Sequence, residues 1–390
     1  MKKTSILLVL VFAVFAAFAQ KGKVSSAQNL KDSGELKEAL ETIEMTIDPA
    51  NEKSGKTIDW PRTWEVRGEI YQAIFQSDDT SVKSLVDDPL TKALESYKKA
   101  LELDEKDKFS KNIKIKLTLL INDLTNQAVQ GFNNEDYEMA LKSFEQILDV
   151  EDMDLIKQDS PDAVDTVIIF NTALAAYNSE QYDKAIDYYK EAAKYGYNGA
   201  RTYNLLANSY QLKKDTIGAL NVLKEGFEKY PADNGVLTSM IQIYLDLDKT
   251  EDALKYLNVA IEQDPQNATF YFAKGTLHEK MGVEEEAIEA YNKAIEADPK
   301  SFDAFYNLGA LYYNKGVKQI EVANAVPANE NEKYQEELKK ADKWFKEALP
   351  FMEKCYNLNP EHTMTLESLK NLYYRLKMMD QYNEILEKIG

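Results

Sequence analysis

Small and apolar residues recur along this chain in groups, and the groups themselves return every 34 residues: Ala185, Ala219, Ala253 and Ala287 are separated by that step. So are Ala192, Gly226, Ala260 and Ala294, and so are Pro231, Pro265 and Pro299. Ala173, Ala207, Gly275 and Gly309 follow the same step, with Ile241 in the missing place. A fixed period of a few tens of residues is the mark of stacked structural units. Within 268–301, Tyr271, Lys274, Gly275 and His278 have the i, i+3, i+4, i+7 spacing of one helix face, and Ala287, Tyr291 and Ala294 form a stripe on a second helix. Small residues let two helix backbones approach, and aromatic rings fill the holes between them. Asp264-Pro265 and Asp298-Pro299 end the second helix of a pair, because the residue before proline avoids the helical region. Gly282 and Gly316 fall where the first helix is expected to end, in a cap that glycine adopts cheaply.

These residues resemble the tetratricopeptide repeat, a helix-turn-helix unit with a bulky residue at slot 4 and an aliphatic one at slot 7. The family places small residues at slots 8, 20 and 27, aromatics at 11 and 24, and proline at 32. In 268–301 those slots hold Tyr271, Lys274, Gly275, His278, Ala287, Tyr291, Ala294 and Pro299, so Lys274 and His278 depart from the family preference. Phe305, Leu308, Gly309 and Tyr312 restore it in the next unit, and Trp64, Gly68, Tyr71, Ala93, Tyr97 and Ala100 fit it upstream. One hairpin cannot bury both of its stripes, whereas a stack can. The expected fold class is therefore all-α, an α-solenoid superhelix of about eight to nine helix-turn-helix repeats.

Along the chain, Lys2-Lys3, an apolar run from Ile6 to Phe18, and Ala17 and Ala19 have the layout of a secretory signal peptide over 1–19, with no cysteine where a lipoprotein would carry one. Divergent repeats are expected over 20–165, closing on an acidic connector that includes Glu151, Asp152, Asp154, Asp159, Ser160 and Pro161. Four regular repeats follow over 166–301. The last part, 302–390, is an interrupted repeat whose 317–347 insertion reads as a long helical hairpin turning near Val326-Pro327-Ala328, with capping helices after it. A periplasmic or secreted location follows from the leader, and no second apolar stretch reaches membrane length.

Composition narrows the chemistry. The 390 residues carry 47 Lys and Arg against 66 Asp and Glu, a formal charge of −19, which argues against nucleic acid or an anionic membrane as the main partner. Fifteen glycines and ten prolines with 44% hydrophobic residues suit an ordered, mostly helical chain. With one cysteine, Cys355, no intrachain disulfide can form, and two histidines leave little for metal or acid–base sites. His278 falls in an aromatic core slot, and His362 in an inter-repeat turn without a catalytic partner. Cys355, at slot 27, reads as inert packing. Glu284-Glu285-Glu286 reads as a solvated face, and of the Tyr pairs 188/189, 312/313 and 373/374 one member each is expected to face inward. No phosphate-binding loop, dinucleotide fingerprint or nucleophile elbow occurs. No enzyme activity and no cofactor are expected.

The resemblance implies binding of protein or peptide partners on a concave side, through first-helix slots 2, 5, 9 and 12. Here these supply Phe170 and Tyr177; Arg201, Asn204, Asn208 and Gln211; Thr238 and Gln242; Phe272, Thr276 and Glu279; and Tyr306 and Tyr313. Amides pair with an extended main chain and aromatics supply contact area. The family's carboxylate clamp is not matched, since Asn208 is accompanied by Asn204, Ser239, Thr269 and Ala273 in the other slots. The expected function is a non-enzymatic scaffold of the bacterial cell envelope. The alternative is a glycan or small-ligand binding protein using Trp60, Trp64 and the groove tyrosines as stacking platforms.

Overall fold

Residues 21–51, 54–158 and 161–389 are described by the computed structural model, in which no strand occurs among the described residues. The leader expected over 1–19, and Asp159 and Ser160 of the connector, lie outside them. The chain divides into two compact units, Met1–Asp215 and Thr216–Gly390. The first holds α1 over 21–32, α2 (Leu36–Glu44), α3 (Pro61–Gln76), α4 (Thr80–Lys83), α5 (Pro89–Leu103), α6 (Ser110–Asn133), α7 (Tyr137–Glu151), α8 (Asp154–Lys157), α9 (Thr166–Asn178), α10 (Tyr182–Lys194) and α11 (Ala200–Leu212). The second holds α12 (Thr216–Lys229), α13 (Asn234–Asp246), α14 (Thr250–Gln263), α15 (Ala268–Lys280), α16 (Glu284–Ala297), α17 (Phe302–Asn324), α18 (Asn331–Leu358), α19 (Thr363–Arg375) and α20 (Met379–Ile389).

The period governs where helices begin. First helices start at 166, 200, 234, 268 and 302 and second helices at 182, 216, 250 and 284, all on the 34-residue step. Side-chain caps start three of the five first helices. Asp165 accepts from the Ile168 amide at 2.9 Å, Asp233 from Val236 at 3.0 Å and Asn267 from Thr269 at 3.2 Å, satisfying amides that a helix start leaves unpaired. The turns inside each pair keep the same beat. Glu180, Lys214, Asp248 and Gly282 have φ of 61°, 63°, 57° and 73°, and the amide that follows each closes on a carbonyl five residues back, as Lys249 does on Tyr244 at 2.8 Å. Only one of the four is glycine, so this left-handed turn is held by its hydrogen bonds and packing more than by residue type.

At Gly316 the beat stops. Instead of capping a helix, Gly316 is buried in the middle of α17, where a Cβ would fall 2.6 Å from the Phe345 ring of α18. The same close approach joins α15 to α16, with a Cβ at Gly275 falling 2.5 Å from Tyr291, and α3 to α5 through Gly68 and Tyr97. Glycine serves here by lacking a side chain, not by its backbone freedom.

In the first unit α3 packs on α2, α5 and α6, α6 on α7, α7 on α9, and α10 on both α9 and α11. In the second every helix from α12 to α20 packs on the next, the nearest-neighbour arrangement of a repeat stack. Ala287 and Tyr291 of α16 share a core with Leu308 and Leu311 of α17, and Ala341, Phe345, Ala348 and Met352 of α18 share another with Leu366, Leu369 and Leu372 of α19. One expectation about the tyrosine pairs fails. Tyr312 and Tyr313 are both half-buried, Tyr312 stacked on Trp344 and Phe351 and Tyr313 edge-on to Phe345. The 28-residue α18 is long enough to cover two faces of α17.

Candidate functional site

Numbering slots from Trp64 places Arg62, Glu65, Glu69 and Gln72 of α3 at the same first-helix positions that supply the expected binding residues downstream. That register is readable from the sequence alone. These side chains form a charged network with α1 and α6. Glu69 accepts from Lys31 at 2.7 Å and Lys116 at 2.9 Å, and Arg62 pairs with Glu65 at 2.6 Å. Gln72 donates to Asp123 at 2.6 Å and accepts from the Tyr97 hydroxyl at 2.9 Å, while Gln76 also donates to Asp123 at 2.8 Å. Burial would raise the Glu69 carboxyl, but hydrogen bonds from Lys116 and Lys31 outweigh it and hold the group below its ordinary range. Here the first-helix face is filled by the chain's own charges.

On α9 and α11 the expected residues divide. Phe170 is 4% exposed, edge-on to Tyr189 and against Tyr197, so it is a wall of the repeat interior and not an open contact surface. Arg201 lies over that ring at 6.0 Å and is exposed, as are Asn208 and Gln211, while Asn204 is half-buried. Tyr177 is half-buried, edge-on to Tyr182.

In the second unit most of the expected residues are engaged within the chain. Thr238 and Thr276 donate back to the carbonyls of Asn234 and Ala273, and Gln242 donates to Asp246 at 2.8 Å. Glu279 accepts from the Tyr291 hydroxyl at 2.7 Å, which with burial keeps that phenol protonated far above its ordinary range; Phe272 packs tilted on the same ring. Tyr306 stacks on Phe302 and meets His362 edge-on, and Tyr313 rests on Phe345.

The side chains weighed for chemistry have other duties. His362 caps α19, its Nδ1 accepting from the Thr365 amide at 3.3 Å. Cys355 is buried, and burial together with Asp303 pushes its thiol up to about 12, so no reactive thiolate forms at neutral pH. Glu284 is not a purely solvated carboxylate, since it pairs with Lys315 and Lys318 of α17, each at 2.9 Å. His278 is half-buried beside polar neighbours, not packed as an aromatic core residue. Trp60 and Trp64 are both half-buried, with Lys21 over the Trp60 ring at 4.7 Å, Arg67 over the Trp64 ring at 5.5 Å and the Trp64 N–H donated to the Ile58 carbonyl at 2.7 Å. Among the described residues no group of three His, Cys, Asp or Glu is placed to hold a metal ion, and no helix is long and apolar enough to cross a membrane.

The family described as tetratricopeptide repeat matches residues 170–233, and that described as TPR repeat matches 285–316. Similar solved structures include a TPR repeats protein from Bacteroides fragilis NCTC 9343, at 24% identity over 65% of this chain and 98% of that one, TM-score 0.33. The MamA protein is similar at 14% identity over 46% of this chain and 92% of its own, TM-score 0.37. YrrB, a TPR protein with an unusual peptide-binding site, is similar at 19% identity over 55% of this chain and 98% of its own, TM-score 0.36. Among curated proteins none matches.

Proposed function

We propose that this tetratricopeptide-repeat protein is a non-enzymatic scaffold that captures protein or peptide partners, and that it does so in the bacterial cell envelope after export. Tetratricopeptide repeats in general are protein-interaction modules. The observation that carries the finer reading is the row on α11. Arg201, Asn208 and Gln211 are exposed at i, i+7 and i+10, which is one helix face, with Tyr177 of α9 in the preceding repeat. Two amides can pair with an extended main chain, and a guanidinium stacked on Phe170 is ordered at little entropic cost before it meets an acidic group. The export half rests on the leader-like sequence at 1–19 and predicts a mature N-terminus at Gln20, readable by mass spectrometry of protein isolated from its native host.

Photo-crosslinking tests the binding half. A p-benzoylphenylalanine at Gln211 should give discrete protein adducts in an envelope fraction, and the same probe at Lys194, exposed on α10, should not. Equal labelling from both positions, or none from Gln211, would refute the α11 face. In purified protein, Arg201→Ala with Asn208→Ala should weaken capture of the crosslinked partner while leaving the circular dichroism unchanged.

A further inference from the structure

The two departures from the repeat pattern, Lys274 and His278, face one feature. They line a cavity of about 240 Å³ bounded by α14, α15 and α16, in the place where an aliphatic and an aromatic side chain would otherwise close the helix crossing. Its lining is polar and carries both signs of charge. Lys274 donates at 2.8 Å to the neutral amide oxygen of Asn258 rather than to a carboxylate, which leaves ammonium hydrogens and the Asn258 NH₂ available on that side. On the same lining, the exposed Glu286 of α16 forms no ion pair or hydrogen bond among the described residues. Burial and Lys274 push His278 toward its neutral form, and its buried Nδ1 has no hydrogen-bond partner, a cost that a ligand's polar group would remove. Tyr271, Leu254 and Ala290 supply the apolar part of the wall.

Glu289 and Lys293 pair with each other at 2.9 Å and largely cancel, which leaves Glu286 set against a simple anion and Lys274 against a simple cation. A molecule carrying both charges as substituents of one carbon meets both halves. The volume lies below the range of drug-sized sites, which suits a small molecule. We propose that this cavity is a binding site for a free α-amino acid, its carboxylate held by Lys274 and Asn258, its ammonium by Glu286, and its side chain against Tyr271 and Leu254. The site lies on other helices than the α11 face and stands or falls independently of the scaffold reading.

The chain has two histidines, one in the cavity and one capping α19, so a histidine-labelled NMR spectrum of the full chain reads the site with an internal control. Each of the twenty L-amino acids is titrated to about 10 mM, with propionate, propylamine, glucose and N-acetylglucosamine alongside. At least one amino acid should shift the His278 signal saturably, with a dissociation constant of about 1 mM or tighter, and leave His362 in place. Lys274→Met and Glu286→Gln should each weaken that binding roughly tenfold. The pair Lys274→Leu with His278→Tyr, restoring the repeat's usual residue types, should fold at least as stably and lose binding, as followed by calorimetry. No shift with any amino acid would overturn the proposal. So would propionate or propylamine binding as tightly as alanine, a sugar moving His278 where amino acids do not, or equal movement of His362.

Discussion

Gly68→Ala tests the glycine-on-ring crossing that joins α3 to α5 and recurs between α15 and α16 and between α17 and α18. The new methyl would fall 2.7 Å from Cδ1 of Tyr97, a ring that is fully buried and whose hydroxyl donates to Gln72 at 2.9 Å. Alanine in an open helical site is worth about 0.5–1 kcal/mol over glycine. Against that, overpacking a tight crossing costs about 1–3 kcal/mol, and displacing the Tyr97 hydroxyl from Gln72 costs roughly a further 1 kcal/mol. The net expectation is a loss of about 1–3 kcal/mol, concentrated in α3 and α5. Stacked units need not unfold as one, so amide hydrogen exchange in those two helices is the decisive readout, with urea unfolding followed by circular dichroism beside it. Gly22→Ala, where a Cβ meets nothing within 4 Å, is the matched control and should be neutral or mildly stabilising. Adding Tyr97→Leu should relieve the clash, leaving a coupling of about 0.5–3 kcal/mol between the two changes. Raised protection in α3 for Gly68→Ala, or simple additivity in the double variant, would refute the small-on-aromatic crossing.

Asp248→Gly should stabilise the second unit by about 0.5–1 kcal/mol, because Asp248 holds a left-handed turn at φ 57° that glycine adopts freely and its exposed ion pair with Lys280 contributes little; Lys280→Met is the control for that pair, and a urea midpoint no higher than the control's would count against strain there. Glu69→Gln should cost about 2–3 kcal/mol at neutral pH, less than a fully buried pair because Lys31 and Lys116 remain partly exposed. Its carboxyl lies below the ordinary value, so that stability is present above about pH 4.5 and is lost as pH falls through the lowered value, and the variant and parent should converge in acid urea titrations. Glu151 behaves in the opposite sense. Burial and the Asp165 carboxylate raise it to about 7, so the folded chain binds the extra proton between 4.5 and about 7 and the end of α7 loses stability as pH rises through that window. Glu151→Gln should remove that dependence and stabilise α7 by about 1 kcal/mol above neutrality, and a Glu151 carboxyl signal titrating at its ordinary value would end the argument.

The repeated hairpin was legible because it rests on local physics. A stripe of small and bulky residues, a capping Asp or Asn before it and a proline after it specify a helix pair without reference to anything distant, and helix starts from Thr166 to Phe302 fall on the period read from the alanines. Slot chemistry also pointed to Lys274 and His278 as departures, and the structure places both on one cavity.

Exposure was not legible, because it depends on what a neighbouring helix brings. Phe170 and Thr238 occupy the same slot of their repeats, yet Tyr189 and Tyr197 bury Phe170 while Thr238 stays exposed. Thr276 is half-buried and Thr238 exposed, though the hydroxyls of both turn back on their own helices. Gly316 has the same composition whether it ends a helix or admits a ring, and the length of α18 settled that it admits Phe345. The network on α3 joins Glu69 to Lys31 and Gln72 to Asp123 across 38 and 51 residues of chain. In a linear reading those charges are indistinguishable from a wet surface. By itself, then, the sequence determined which segments are helices and how they pair, since backbone propensity, capping and the apolar stripe all act within one repeat. Tertiary structure alone decided which side chains face solvent, which are spent on one another and where a polar hollow remains, because those outcomes depend on distances between helices that no local pattern encodes.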